Sequence, residues 1–186
     1  MAHLISDYPE IRMRLFGSIG LQVSLSLLLA VIQCAALDLN ADYQKLQEKS
    51  KREANPVGKT KALIKMSEIN LKLALSEAMG RNLEGADKYL TRYIEVVHQA
   101  SGVLKLSNRN AQKNPTGFKD FEIALSQQLR KLNDLKEYYP YDHQETIEQA
   151  TEVARGAHQE MINAIFGLEN SRKAEEKKHD QPKEAK

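Results

Sequence analysis

The feature that most constrains this fold is a pair of apolar stripes with helical period between residues 56 and 106. Leu75 extends the first stripe sideways, and Tyr93 lies on the edge of the second. Recurrence at three and four residues is typical of one face of an α-helix. Such a face must be covered, so the pattern predicts a helical hairpin within a larger all-α domain. The stripes are Ala62, Met66, Ile69 and Leu73, and then Leu83, Ala86, Leu90, Ile94, Val97, Ser101 and Leu104.

Local signals set the predicted ends of this hairpin. Asn55 is a favoured helix N-cap, and Pro56 suits the first helical position that follows it. Gly80 permits a left-handed turn at the end of the first arm, and Asn82 can cap the second. We therefore predict helices from 56 to 79 and from 83 to about 106.

Further helices are predicted on both sides of the hairpin. A short, polar helix begins near Leu39, and 107–117 is a loop dense in turn-forming residues. Asp142 and Glu145 have the spacing of a capping box for the last helix. The sequence predicts an all-α domain over residues 37–170, an antiparallel bundle of four long helices plus the short N-terminal one. The last two apolar stripes are Phe118, Phe121, Leu125, Leu129, Leu132 and Leu135, and then Ile147, Ala150, Ala154, Ala157, Met161, Ala164, Ile165 and Leu168.

The N-terminal segment has the pattern of a secretory signal peptide. Arg12 and Arg14 precede an uncharged run that ends in small residues at Ala36. A basic start, an apolar middle and a small-residue exit predict residues 1–36 as a signal peptide cleaved after Ala36. Counting from Met13 gives a more usual signal length, so we predict that translation begins there.

Two alternatives to cleavage remain open. The run of 22 uncharged residues, 15–36, could stay as a membrane anchor, because about 20 apolar residues span a bilayer. The stretch 31–34 resembles the lipobox of bacterial lipoproteins, although Gln33 replaces the small residue of that motif. The pattern favours cleavage and an exported chain, periplasmic or extracellular, that touches the membrane only through this segment. Cys34 is the single cysteine, so the mature chain would have no disulfide.

The hairpin carries a partial resemblance to a known repeat. Ala74, Leu83, Ala86 and Leu90 match the spacing of the tetratricopeptide motif, whereas Tyr93 stands where that motif has Ala. The match occurs once, and about three units are needed for a stable array. As a whole, the chain is similar to exported all-helical bacterial proteins, a resemblance that implies no activity.

The motifs of catalysis and metal binding are incomplete. Glu95 and His98 form one Glu-x-x-His, whereas ferritin-like metal sites use two, and His158 is preceded at minus three by Arg155. Phosphate loops, nucleophile elbows and haem-attachment motifs are absent from the sequence. We therefore predict no catalytic, cofactor-binding or metal-binding residues and no enzymatic activity. The alternative is a metal-binding helical bundle that uses His98 and His158.

Charge is balanced overall but uneven along the chain. The formal net charge is +2, which argues against a nucleic-acid partner. Residues 45–65 carry seven basic side chains against Glu48 and Glu53, and residues 142–160 carry five acidic ones against Arg155. We interpret the two stretches as complementary within the fold. The alternative is a basic patch that faces anionic lipid or cell-wall polymer.

Two tyrosine clusters and a charged tail complete the sequence. We expect the tyrosines to close the bundle with buried rings and hydrated hydroxyls, rather than to bind sugars or peptides. Residues 171–186 are predicted to be a charged, flexible tail. The function that these patterns favour is a non-catalytic exported protein that contacts an unknown protein or envelope component. The clustered tyrosines are Tyr89 and Tyr93, and then Tyr138, Tyr139 and Tyr141.

Overall fold

A computed structural model describes residues 38–168 of the chain, and this part contains helices and no strand. The all-α prediction is confirmed. The predicted signal peptide (1–36) and charged tail (171–186) lie outside the described residues. The helices pack within a compact unit that begins at Asp42. The helices are α1 (38–52), α2 (Pro56–Met79), α3 (Leu83–Leu106), α4 (Phe118–Lys136), a 3-10 turn (Tyr141–His143) and α5 (Glu145–Phe166).

The two asparagine caps are confirmed, but the turn between α2 and α3 is built differently from the prediction. Asn55 Oδ1 accepts a hydrogen bond from Val57 N, and Asn82 Oδ1 accepts one from Gly85 N. Gly80 is not left-handed: its φ is −76°, and Arg81 takes the positive φ of 60°. The Gly80 N–H still donates to Ser76 O at the i−4 spacing of an α-helix. The left-handed residue that ends the helix is therefore the next one, Arg81.

The predicted capping box of the last helix is wrong. Asp142 lies inside the 3-10 turn, and α5 follows Gln144 without a side-chain cap. His143 N donates to Pro140 O over 3.0 Å. Asp142 lies within this turn, two residues before Gln144, which occupies the N-cap position of α5. Asp142 is therefore too early in the chain to cap the helix.

Each half of the domain is a helical hairpin. α2 packs against α3, and α4 packs against α5. In the second hairpin, Lys136 near the end of α4 pairs with Glu148 near the start of α5, and Glu122 contacts His158. The order of these contacts shows that α4 and α5 are antiparallel, as predicted for helices that follow each other along the chain.

The two hairpins pack with their matching helices in parallel. α2 contacts α4, and α3 contacts α5. Lys61 pairs with Asp120, and further along both helices Ser67 accepts a hydrogen bond from Gln128. Both residue numbers increase together, so α2 and α4 run in the same direction. The antiparallel prediction therefore holds within the hairpins, while contacts between them join parallel helices.

The loop 107–117 makes this parallel packing possible, because it carries the chain diagonally from the end of α3 to the start of α4. Gly117 ends the loop with a φ of +90°. A Cβ on Gly117 would lie 3.2 Å from a methyl group of Val57 and 3.3 Å from one of Leu104. The positive φ favours glycine at this position, and a Cβ would in addition crowd the methyl groups of Val57 and Leu104.

The core largely follows the predicted stripes, with exceptions. Leu168, predicted as the last member of the α5 stripe, lies two residues beyond the end of α5 and is 46% exposed. Leu90 and Leu125 are fully buried, as their central positions predicted. Tyr93 is also fully buried rather than at the stripe edge, because its ring faces α4 across the core. Leu75 is 37% exposed, because the α2 surface that carries it lies outside the contacts with α3 and α4.

Candidate functional site

Helices α1, α2 and α4 enclose a groove of about 500 Å³ near the starts of α2 and α4. Its floor is apolar and includes Leu46 of α1, Ala62 of α2 and Ala124 of α4. Ile123 also lines it and keeps 44% of its surface exposed. Clefts that bind ligands commonly have volumes of about 300–1,000 Å³ and apolar walls. We refer to this feature as the α1–α2–α4 groove.

The rim of the α1–α2–α4 groove is charged. It carries Lys49, Lys61 and Lys65 against Glu68 and Asp120. Lys61 Nζ lies 3.4 Å from Asp120 Oδ2, so the charge of Lys61 is offset locally. Within residues 38–168, neither Lys49 nor Lys65 forms an ion pair. The groove therefore combines an apolar floor with two ammonium groups and one carboxylate, that of Glu68, none of which forms an ion pair within residues 38–168.

Helical spacing brings these side chains together. Lys61, Lys65 and Glu68 lie at i, i+4 and i+7 on α2, so they share one face. Asp120, Ile123 and Ala124 are arranged in the same way on α4. Because α2 and α4 pack against each other in parallel, the two faces lie side by side. The groove forms between them where the side chains are small, at Gly58, Ala62 and Ala124.

The two charged stretches do not neutralise each other. No ion pair in the described part of the chain joins residues 45–65 to residues 142–160. In the acidic stretch, Glu148 pairs with Lys136 and Glu160 with Lys105. The helix contacts place α2 and α5 at opposite corners of the four-helix arrangement. The interpretation of internal complementarity is therefore not supported.

The tyrosines divide into two groups. Tyr93 and Tyr139 have buried rings, as expected, but their hydroxyls bond to protein: Tyr93 Oη donates to Gln128 Oε1, and Tyr139 Oη donates to Asp87 Oδ1. Burial raises the pKa of both phenols, and the Asp87 carboxylate raises the pKa of Tyr139 further.

The remaining tyrosines at the α4–α5 connection do not close the core. Tyr138 is 47% exposed, and Tyr141 is 93% exposed. Tyr89 is partly buried, and the guanidinium of Arg92 lies 5.5 Å from its ring centroid. The expectation of buried rings is thus wrong for Tyr138 and Tyr141. The short 3-10 turn projects Tyr141 away from the helices that bury Tyr139.

The structure places the two histidines of the metal-binding alternative in different surroundings. His158 Nε2 lies 2.9 Å from Glu122 Oε1, between α5 and α4. His98 lines a separate groove of about 280 Å³ between α3 and α5, together with Lys105 and Glu160. Within residues 38–168, no group of three or more His, Cys, Asp or Glu side chains is arranged to hold a metal ion.

The sequence patterns did not predict a buried hydrogen-bond network that joins α2, α3 and α4 through Ser67, Tyr93 and Gln128. Gln128 is 1% exposed, and its Nε2 donates to Ser67 Oγ over 2.8 Å. The signal was present in the spacing: Gln128 lies between Leu125 and Leu132 at intervals of three and four, in the middle of the α4 stripe. A polar residue at such a position requires a buried hydrogen-bond partner.

Comparison of the chain with protein-family models, curated proteins and solved structures found no match. Over residues 38–168, none of the helices combines the length and the apolar character that crossing a membrane requires.

Proposed function

We propose that this chain is an exported, non-catalytic helical protein that holds a segment of a partner protein or envelope component in the α1–α2–α4 groove. The observation that carries the proposal is the pairing of an exposed apolar floor at Ile123 with the unpaired ammonium groups of Lys49 and Lys65. A segment with one apolar anchor and flanking carboxylates would match this surface. Apolar anchors supply most of the affinity of such contacts, and complementary charge supplies specificity.

Export and the absence of catalysis belong to the same proposal. The basic start, uncharged run and small-residue exit before Leu37 support passage through the secretory route to a periplasmic or extracellular location. If the N-terminal segment instead remained as an uncleaved anchor, the helical domain would still lie on the outer side of the membrane, as it would after cleavage. The lack of catalytic motifs in the sequence supports a binding role rather than an enzymatic one.

Site-specific photo-crosslinking tests the groove. A photoreactive amino acid replaces Ile123 in the full chain, expressed in its native cells. We expect discrete crosslinked products after irradiation. The double variant Lys49→Glu/Lys65→Glu should remove them, because it reverses both unpaired charges at the rim.

Two controls make this experiment specific. The first control is Lys72→Glu/Lys88→Glu. It changes the net charge by the same amount as Lys49→Glu/Lys65→Glu, but at exposed lysines that do not line the groove. It should retain the products. The second places the photoreactive residue at Gln99, which is exposed on α3. Equal crosslinking at Gln99 and Ile123, or none at Ile123, would contradict the proposal.

A further inference from the structure

We propose that the α1–α2–α4 groove holds residues Tyr141–Glu145 of a second copy of this chain, so that copies associate head to tail. This segment, called the turn below, runs from the 3-10 turn to the first residue of α5. This inference rests on the proposed function, since it names the occupant of the same groove. It is carried by three features of the turn: an exposed aromatic side chain, a rigid backbone and a negative flank.

The aromatic side chain is Tyr141. At 93% exposure, it is the most exposed of the large apolar side chains in residues 38–168. An aromatic ring that buries about 150–250 Å² is a strong anchor at protein interfaces. Tyr138, three residues earlier, is only half as exposed, so the turn presents Tyr141 alone.

The turn is held in shape before any contact is made. Pro140 precedes Tyr141, and His143 N donates to Pro140 O over 3.0 Å. Proline restricts its own backbone, and the hydrogen bond closes the turn. Tyr141 is thus presented on a short, constrained element, which lowers the entropy lost on binding.

The turn carries carboxylates, whereas the groove rim has a net positive charge, with Lys49, Lys61 and Lys65 against Glu68 and Asp120. Asp142 follows Tyr141 directly, Glu145 lies four residues after Tyr141, and both are exposed. Asp142 Oδ2 lies 3.8 Å from His143 Nε2, and within residues 38–168 Asp142 forms no ion pair with a lysine or arginine. Two carboxylates within four residues of an aromatic side chain are opposite in sign to Lys49 and Lys65, which line the groove together with Ile123. Complementary potentials of this kind steer encounter and select the partner.

The two surfaces lie at opposite ends of the same helix, so one molecule cannot fill its own groove. Asp120, on the groove rim, is in the first turn of α4, and Tyr141 follows its end. The 19 residues of α4 extend about 28 Å at 1.5 Å per residue. A surface that meets a different surface on the next copy makes a heterologous contact, which builds open chains or closed rings.

Sedimentation equilibrium of the purified full chain tests the association. The apparent mass should rise from monomer as the concentration increases from micromolar to millimolar, and added salt should oppose this rise by screening the charges. Tyr141→Ala should weaken association about tenfold or more, as expected for loss of a buried anchor. Its matched control, Tyr138→Ala, removes a less exposed tyrosine at the same end and should leave association unchanged.

Complementation between two defective variants identifies the heterologous geometry. Tyr141→Ala retains the groove, and Lys49→Glu/Lys65→Glu retains the turn. Each should be monomeric alone, while their mixture should form a 1:1 heterodimer that native mass spectrometry resolves after ¹⁵N labelling of one variant. The Lys72→Glu/Lys88→Glu control should associate like the unsubstituted chain.

The possible outcomes separate this inference from the proposed function. A heterodimer that forms only in the mixture supports head-to-tail association. Monomeric behaviour of the unsubstituted chain at all concentrations overturns it, as does association that survives both sets of substitutions. Crosslinks from Ile123 to a different protein, with a monomeric chain, would overturn the second copy as occupant and leave the groove as a binding site.

Discussion

Tyr93 of α3 and Gln128 of α4 meet across the centre of the core, with Tyr93 Oη donating to Gln128 Oε1 over 3.1 Å. Gln128 Nε2 donates in turn to Ser67 Oγ of α2, which donates to Ile64 O over 2.8 Å. All three side chains are buried. A satisfied polar chain of this kind favours one register of the three helices, because any slip would leave buried polar groups unpaired.

The first prediction concerns this chain of hydrogen bonds. Tyr93→Phe leaves Gln128 Oε1 unpaired, and Gln128→Leu leaves Tyr93 Oη unpaired, so each should lower the free energy of unfolding by about 1–3 kcal/mol. The double variant should lose less than the sum, because neither orphan remains. Urea titration of the four proteins measures this. Strict additivity would show that the two side chains do not interact.

The second prediction concerns the centre of the core. Leu90 and Leu125 are each 0% exposed, so replacement of either with Ala should cost about 2–5 kcal/mol. Leu106→Ala is the control, because Leu106 is 83% exposed and its truncation should cost less than about 0.5 kcal/mol. Thermal or urea unfolding checks both. Losses under half a kcal/mol at Leu90 and Leu125 would mean that the packing faces are wrongly assigned.

The third prediction concerns alkaline pH. Burial raises the pKa of Tyr93 and Tyr139 above the ordinary tyrosine value of about 10. An acid whose pKa is raised by folding contributes full stability below its unfolded pKa, and this contribution is lost as the pH rises above that value. The free energy of unfolding should therefore fall above about pH 10.

Tyr139→Phe provides the control for that pH dependence. This variant has one fewer raised pKa, so its stability should decline less steeply between about pH 9 and pH 11. Urea midpoints measured at each pH give the comparison. Parallel curves for the variant and the unsubstituted chain would contradict the assignment of Tyr139.

The fourth prediction concerns processing. Small residues before Leu37 and the apolar run that precedes them predict cleavage after Ala36. Edman sequencing of the protein recovered from the periplasm or medium should begin at Leu37. Recovery in the membrane fraction with the earlier residues intact would replace cleavage with an anchor.

The fifth prediction addresses the metal-binding alternative. The imidazole of His158 contacts Glu122, while His98 lies in the groove between α3 and α5. We expect elemental analysis of the purified full chain to find no stoichiometric transition metal. One bound metal per chain that is lost in His98→Ala would establish the alternative.

Much of the local structure could be predicted from the sequence. Apolar periodicity placed α2 to α5, Asn55 and Asn82 capped the expected helices, and the burial of Leu90 and Leu125 followed from their positions in the stripes. The helix caps and the apolar faces depend on residues within one or two turns of each other, so local steric and hydrogen-bonding rules determine them. The burial of Leu90 and Leu125 also requires the other helices that cover those faces.

The local predictions were wrong at two helix ends, where neighbouring residues offered alternative backbone hydrogen bonds. Gly80 was expected to be left-handed, but its helical hydrogen bond moved that role to Arg81. Asp142 was expected to cap α5, but the turn closed by Pro140 and His143 placed it elsewhere. In both cases two local solutions were compatible with the sequence, and the bonds made by adjacent residues selected one.

Which segments are helical and which face of each helix is apolar follow from the periodicity of the sequence. Which helix covers which face depends instead on packing between segments that are far apart in the chain. Pairing α2 with α4 in parallel brings Lys65 and Ile123 to one groove and buries Gln128 beside Ser67. These residues are tens of positions apart, and helical periodicity contains no information about which partner an apolar face will meet. That choice depends on the path of the 107–117 loop and on the fit of side chains across the core.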